Sequence, residues 1–232
     1  MIGRRGWLRA AGGGAVALSA SGCARMPATA ARGTPAARVS ADGFAALYAF
    51  GMPRGAAVGF DERHLLTCAH VVPADGQVLL RRAEDDRPVR PEAVLRSPRM
   101  DLAVLRVPAG FLQPPPRSAD EPRAGEPVWA AGAPGLGSPV AQGVVEAPDA
   151  EMPGFGRGFT AWMPALMGYS GGPVVDAEGE LLGLTSALPG GGGAGLLALL
   201  TGADLDGLAR GDRRVFVLSI RRAGAEAGRL LG

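Results

Sequence analysis

The chain lacks two residue types altogether, because none of its 232 residues is lysine or asparagine. Without lysine, every mechanism that depends on a lysine base is excluded, including the Ser-Lys dyads. All 24 basic side chains are arginine, and they form no concentrated stripe beyond the first few residues, so nucleic acid is not expected as a partner. With only two histidines and two cysteines, the chain offers too few of the usual ligands for a metal site, and no cofactor is expected.

Long helical patterns are scarce as well, since 37 glycines and 20 prolines divide the chain into short segments. From residue 40 onward, apolar runs of strand length such as "HLLTCAHVV" and "DLAVLRV" alternate with clusters of turn residues, which predicts an all-β fold. A stretch with five prolines, residues 113–127, predicts a linker between two β-rich halves, residues 39–112 and 128–205. Only the tail, residues 206–232, lacks this pattern of turns, and it is predicted to be helical.

The start of the chain has the pattern of a bacterial export signal. Residues 1–22 combine Arg4 and Arg5 with an apolar stretch of about a dozen residues, too short to span a bilayer as a helix. The arginine pair resembles a twin-arginine motif, and "ASGC" resembles a lipobox that would make Cys23 the lipidated first residue of the mature chain. The alternative is an ordinary secretory signal cut after "ATA", with Cys23 discarded. Residues 23–38 are small and polar and predict a tether.

Ser170 is the candidate nucleophile, because it lies between glycines in "MGYSGGPVVD". A neutral serine needs a base to accept its proton, and in a chain without lysine that base is nearly always histidine. Both histidines, His64 and His70, precede Ser170. This order excludes the α/β-hydrolase arrangement, in which the histidine follows the serine. His64 follows "DER" and is expected to lie in a solvated loop.

Four segments in order resemble the trypsin-like serine proteases, and in particular their bacterial HtrA-type branch. They are "GAAVGFDERHLLTCAHVV", "DLAVLRV", "AAGAPGLGSPVAQGVVEA" and "GYSGGPVVDAEGELLGLTSA", and together they cover about residues 40–205. The resemblance implies two antiparallel six-stranded β-barrels with a possible C-terminal helix. It also implies a catalytic triad of His70, Asp101 and Ser170. The PDZ domains usual in that branch have no counterpart in these 232 residues.

The same resemblance assigns further site residues. The backbone N–H groups of Gly168, Tyr169 and Ser170 are expected to form the oxyanion hole. Tyr169 stands where the branch usually has asparagine, and Cys68 is expected to pack as a small apolar residue rather than act in catalysis or in a disulfide. The predicted substrate pocket carries no charge, which favours small or medium apolar side chains before the cut. Its residues are Pro164, Ala165, Leu166, Thr185, Ser186 and Ala187.

Two functions fit these features. The first is an exported serine endopeptidase in the periplasm or cell envelope, anchored to the membrane by lipid on Cys23 and acting on proteins or peptides. The second is a catalytically silent lipoprotein of the trypsin fold that acts as a binding module. The intact set of His70, Asp101 and Ser170 favours the enzyme.

Overall fold

The computed structural model describes residues 33–37, 39–82, 87–133, 139–187 and 211–232. These residues form twelve strands and a C-terminal α-helix, which confirms the prediction of an all-β fold. The predicted export signal, Cys23 and most of the tether lie outside the described residues and stay predictions. None of the helices in the described ranges has both the length and the apolar character needed to cross a membrane.

The elements follow one another closely along the chain. They are β1 (Phe44–Ala49), β2 (Met52–Gly59), β3 (His64–Thr67), β4 (Leu79–Arg81), β5 (Ala93–Arg96), β6 (Ala103–Arg106), β7 (Pro127–Ala131), β8 (Val140–Met152), β9 (Gly156–Met163), β10 (Pro173–Val175), β11 (Leu181–Ala187), β12 (Arg213–Ser219) and α1 (Ile220–Leu231).

The first six strands form one antiparallel sheet in the order β4-β1-β2-β3-β6-β5. Its edge strands are short, three residues in β4 and four in β5, and no strand ladder joins them within the described part of the chain. The sheet is therefore a half-barrel. The six antiparallel strands predicted for this half are present, arranged as a half-barrel.

The last six strands form the closed barrel that the sequence predicts, in the order β10-β11-β12-β9-β8-β7. Strand β12 completes it, pairing with β11 on one side and β9 on the other. The prediction that residues 206–232 are helical is therefore wrong for Arg213–Ser219 and right from Ile220 onward. Residues 188–205, the end of the predicted second half, lie outside the described residues.

The apolar run in β12 explains why a helical prediction failed there. Val215 and Val217 pack inside the closed barrel, whereas Phe216 and Leu218 pack into a second cluster between the two halves. Alternate residues of one strand thus enter two different cores. A strand buried on both faces shows a continuous apolar run rather than an alternating one.

The helix α1 covers the cluster between the halves. Ile220, Ala223 and Ala227 are buried there with Leu102 and Leu184, which come from the two halves of the molecule. These three helical positions lie on one face, as their spacing requires. The helix contacts β11 and β12 of the barrel and also β6 of the half-barrel, and it therefore helps to hold the two halves together.

Candidate active site

His70 lies just beyond the end of β3. The strand buries Leu65 and Leu66, and the chain then passes through Cys68 into a short 3-10 turn, Ala69–Val71. The turn brings the imidazole to the surface, where 43% of the side chain is exposed. The ring can therefore reach a substrate.

Asp101 reaches the same place from the neighbouring strand. Strand β3 pairs with β6 so that Thr67 lies opposite Ala103, and the residues just after β3 and just before β6 consequently meet. The Nδ1 atom of His70 lies 2.7 Å from Oδ2 of Asp101, and the backbone N–H of His70 donates to Oδ1 at 2.9 Å. The structure thus brings together two of the three predicted triad residues.

The ionised carboxylate of this pair determines which nitrogen of the imidazole carries a proton. Burial raises the pKa of Asp101, whose side chain is 6% exposed, but the hydrogen bonds and charge of His70 and the hydrogen bond from Ser186 outweigh burial and lower the pKa below its ordinary value. A carboxylate can only accept hydrogen bonds, so Nδ1 of His70 carries the proton. In the tautomer with the proton on Nδ1, Nε2 is the nitrogen that can accept a proton.

Ser186 has a different place from the one predicted. Its hydroxyl is buried and donates to Oδ2 of Asp101 at 2.8 Å, so its side chain supports the carboxylate and does not line a substrate pocket. Sequence reasoning missed this contact, although a lone serine in the apolar strand β11 was a signal for a buried hydrogen bond.

Ser170 lies on a glycine-rich turn of the closed barrel that docks onto the half-barrel. The N–H of Ala56 in β2 donates to the Ser170 carbonyl at 2.8 Å. Gly171 has φ of +81°, and a Cβ atom there would lie 2.2 Å from the Ala56 carbonyl oxygen and 2.3 Å from Thr67 Oγ1. Only glycine fits this approach.

The turn therefore sits against the end of β3, close to the start of the His70 turn. A Cβ atom on Gly171 would also lie 3.0 Å from the backbone nitrogen of Cys68, two residues before His70. The Ser170 hydroxyl makes no hydrogen bond with another described residue. In this structure His70 and Asp101 are therefore hydrogen-bonded to each other but not to the Ser170 hydroxyl.

The predicted oxyanion hole is only partly available. The N–H of Tyr169 donates to the Leu166 carbonyl at 3.2 Å, so the prediction that it serves an oxyanion does not fit this structure. No backbone carbonyl among the described residues accepts from the N–H groups of Gly168 or Ser170. Gly168 has φ of +101°, a conformation that glycine adopts without strain. These two N–H groups are the donors that remain for the predicted oxyanion hole.

Tyr169 instead anchors the turn in the core of the closed barrel. Its side chain is fully buried, and a Cβ atom on Gly132 would lie 2.6 Å from Cγ of its ring. Burial raises the pKa of the Tyr169 hydroxyl, which therefore stays neutral. The residue that replaces the usual asparagine is thus a packing residue.

The described pocket residues divide by burial. Ala165 and Thr185 are buried, and the backbone of Thr185 pairs with Gly171 and Gly172 on the nucleophile turn. Pro164 and Leu166 are partly exposed, and Ala187 ends β11. The guanidinium of Arg213 donates to the Ala165 carbonyl at 3.1 Å, which places a positive charge beside the segment predicted as the pocket floor.

Cys68, His70 and Asp101 place three possible metal-ligand atoms within 4.8 Å of one another. The chemistry of this set does not suit a metal. Burial and the nearby charge of Asp101 raise the pKa of the Cys68 thiol well above its ordinary value, whereas a metal binds the thiolate. The thiol is buried, as predicted, and donates to the Thr185 carbonyl at 3.2 Å.

The other histidine, His64, belongs to a separate contact at the far end of β3. It is the first residue of that strand rather than part of a solvated loop, and its Nδ1 atom lies 2.9 Å from both carboxylate oxygens of Asp61. Its side chain is 21% exposed. His70 is therefore the histidine on the segment that lies against the Ser170 turn.

Fold and site together define the class of protein. A closed barrel beside a half-barrel, with a hydrogen-bonded His–Asp pair next to a serine turn at their junction, is the arrangement of the trypsin-like peptidases. The sequence model for the trypsin-like peptidase domain matches residues 54–184, more than half of the chain. The chain belongs to the trypsin-like peptidase family, and the resemblance drawn from its motifs is confirmed.

The chain is similar to two proteins described as probable periplasmic serine endoproteases, DegP-like. The protein from Pseudomonas fulva is 31% identical over 134 residues, which are 54% of this chain and 27% of the relative. The protein from Brucella suis is 31% identical over 144 residues, which are 59% of this chain and 28% of the relative. The chain thus spans less than a third of the length of these relatives.

Solved structures share the fold at lower identity. The Rv3671c protease from M. tuberculosis in its active form has a TM-score of 0.66 and 20% identity, covering 85% of this chain and 84% of that one. The serine endoprotease from Yersinia pestis has a TM-score of 0.61 and 22% identity, covering 85% of this chain and 65% of that one. Likeness at this level shows the fold alone.

Proposed function

We propose that the chain is a serine endopeptidase that hydrolyses peptide bonds through His70, Asp101 and Ser170, by way of an acyl-enzyme. One observation carries the proposal. The 2.7 Å contact between His70 and Asp101 lies beside the turn that presents Ser170, at the junction of two sheets that are far apart in sequence. A contact with no role in catalysis would not need a half-exposed imidazole beside a buried carboxylate.

Each group then has a defined chemical task. Ser170 Oγ attacks the scissile carbonyl while Nε2 of His70 takes its proton, and the imidazolium is stabilised by Asp101. The oxyanion accepts hydrogen bonds from the N–H groups of Gly168 and Ser170. His70 returns the proton to the leaving amine as the C–N bond breaks. A water, activated by the same ring, hydrolyses the acyl-serine and restores the free enzyme.

The substrates we propose are proteins or peptides, with small or medium apolar side chains before the cut. The place of action is the bacterial cell envelope or periplasm, reached through the export signal and, in our proposal, kept at the membrane by lipid on Cys23. The signal-like composition of residues 1–22 supports export, and so does the similarity to relatives described as periplasmic.

One observation favours the alternative, a catalytically silent lipoprotein of the trypsin fold that acts as a binding module. The Ser170 hydroxyl makes no hydrogen bond with His70 in this structure. Catalytic hydrogen bonds often lengthen or misalign in the absence of substrate, so the same geometry is also compatible with an active enzyme. The reactivity of the Ser170 hydroxyl distinguishes the enzyme from the binding module.

A fluorophosphonate probe tests the proposal on the full chain. Wild-type protein should label, and labelling should disappear in Ser170→Ala. His70→Ala should label at least about 10³-fold more slowly, because the serine loses its base. The matched control is Ser118→Ala, which removes a hydroxyl from the linker and should label like wild type. A folded wild-type protein that never labels would instead support the binding module.

A further inference from the structure

Arg96, the last residue of β5, is bonded to the turn that carries His70. Its Nη1 atom donates to the carbonyl oxygens of Ala69 at 2.9 Å and Val72 at 3.1 Å, and its Nη2 atom donates to the carbonyl of Pro73. The side chain is exposed. Of the three acceptors, Ala69 immediately precedes His70, and Val72 and Pro73 follow it by two and three residues. One guanidinium therefore spans the whole turn.

Buried side chains of Cys68, Val71 and Val72 anchor the turn in the core, but the turn has few hydrogen bonds of its own. It spans only Ala69–Val71, its single internal backbone hydrogen bond runs from Val72 N–H to the Ala69 carbonyl at 3.2 Å, and Cys68 at its start makes no side-chain capping hydrogen bond. Asp101 binds it through the backbone N–H and the ring of His70. Arg96 binds it through three backbone carbonyl groups.

The pairing register of the half-barrel brings Arg96 and Asp101 close to the same residue of β6, Ala103. Ala103 in β6 lies opposite Thr67 in β3 and opposite Arg96 in β5. Asp101 is two residues before Ala103, and His70 is three residues after Thr67. The forked guanidinium of Arg96, which reaches from β5 to the His70 turn, consequently fixes the imidazole relative to the Asp101 carboxylate.

We propose that Arg96 is a positioning residue that holds the His70 turn so that the imidazole stays aligned with Asp101. This inference rests on the proposed serine endopeptidase. The planar guanidinium is suited to the task, because it presents several N–H donors in a fixed geometry, whereas a lysine ammonium is a compact point charge on a flexible stem. None of the predicted pocket or oxyanion residues is among the hydrogen-bond partners of Arg96.

The first test compares Arg96→Met and Arg96→Lys in the full chain. Arg96→Met keeps the aliphatic stem and removes all three hydrogen bonds, and it should lower kcat for an apolar peptide substrate about tenfold with KM within twofold of wild type. Arg96→Lys keeps the charge without the fork and should recover only part of that loss. A purely structural residue would not split kcat from KM in this way.

The matched control is Arg106→Met. Arg106 ends β6, the neighbouring strand, is similarly exposed, and pairs with Glu92 instead of the His70 turn. It should leave kcat within twofold of wild type. Its melting temperature and that of Arg96→Met should agree within a few degrees, since both changes remove an exposed strand-end arginine.

Proton NMR of the His70 Nδ1–H gives a readout that does not depend on turnover. The resonance should be observed at low field in wild type and in Arg106→Met, and it should broaden or disappear in Arg96→Met. If wild-type protein neither labels nor hydrolyses peptides, the proposed function fails, but loss of this resonance in Arg96→Met alone would still support positioning.

The inference is overturned if Arg96→Met keeps both kcat within twofold of wild type and an unchanged Nδ1–H resonance. It is likewise overturned, in a catalytically inactive protein, by an unchanged resonance. If the melting temperature of Arg96→Met lies more than about ten degrees below that of the control, the kcat of Arg96→Lys tests the inference instead. A lower kcat at the wild-type melting temperature supports the fork, and a wild-type kcat contradicts it.

Discussion

The hydroxyl of Ser186 donates to Oδ2 of Asp101 at 2.8 Å across 85 residues of sequence. Ser186 belongs to the closed barrel, and Asp101 introduces a strand of the half-barrel, so the contact joins the two halves at the candidate active site. The carboxylate receives two further donors from His70. The buried charge thus has three hydrogen bonds, as a charge removed from water requires.

Removing the Ser186 hydroxyl should affect catalysis more than folding. Ser186→Ala should lower kcat about tenfold, because Asp101 loses one of the donors that orient it, while the free energy of unfolding falls by about 1 kcal/mol. Steady-state kinetics and urea denaturation measure the two effects. Ser118→Ala, a change in the linker, should alter neither. An unchanged kcat with a large loss of stability would show that the contact serves folding alone.

The docking of the nucleophile turn should not tolerate a side chain at Gly171. A Cβ atom there would overlap the Ala56 carbonyl oxygen at 2.2 Å in addition to the strained φ of +81°. Gly171→Ala should therefore lower the free energy of unfolding by about 3 kcal/mol or more. Gly110→Ala is the control, since Gly110 has φ of +75° with no atom within 4 Å. It should cost about 1 kcal/mol, and equal losses in both variants would rule out the close approach.

Glu226 should make stability depend on acid pH. This buried carboxylate of α1 accepts from Arg229 at 2.9 Å and from Ser97 at 2.5 Å, and the hydrogen bond from Arg229 is the main cause that lowers the pKa of Glu226 from 4.5 to about 2. Because the pKa is lower in the folded state, the stabilisation is complete above about 4.5 and is lost as pH falls through 2.

The variant Glu226→Gln isolates this effect. It should be less stable than wild type at pH 7 by about 1–3 kcal/mol, and the difference should shrink steadily below pH 4.5. Denaturation curves at several pH values measure the difference, with Glu178→Gln, an exposed carboxylate in the β10–β11 turn, as the control. If the difference in the free energy of unfolding stays constant down to pH 2, the pKa of Glu226 does not change on folding.

The cleavage preference should be apolar. The residues predicted at the pocket floor carry no charge, and the guanidinium of Arg213 lies on the Ala165 carbonyl, where it would repel a basic side chain. A peptide library should be cut mainly after small or medium apolar residues. Cleavage chiefly after arginine would contradict both the sequence and the position of Arg213.

The pairing of His70 with Asp101 could be predicted from the sequence because it depends on short segments whose order is informative. Two histidines before one glycine-flanked serine left a single arrangement, and the segments around His70 and Asp101 completed it. The prediction required no knowledge of how distant strands pair.

The parts that failed depend on pairing across the chain. The apolar run of β12 was ambiguous, because its two faces enter different cores that no local pattern distinguishes. The sequence predicts Ser186 in the pocket and gives no sign of its contact with Asp101. That contact depends on how the two halves pack together, which sequence spacing does not give. The sequence likewise gives no sign that the N–H of Tyr169 donates to the Leu166 carbonyl, because this hydrogen bond depends on the backbone geometry of the turn.

The central claim is that Ser170 Oγ is a nucleophile served by His70 and by the N–H groups of Gly168 and Ser170. A crystal structure of the chain after reaction with diisopropyl fluorophosphate tests it most directly. Phosphorus should be bound covalently to Ser170 Oγ, with a phosphoryl oxygen about 3 Å from both N–H groups. An unmodified Ser170 after exhaustive reaction, or a phosphoryl oxygen directed away from both donors, would contradict it.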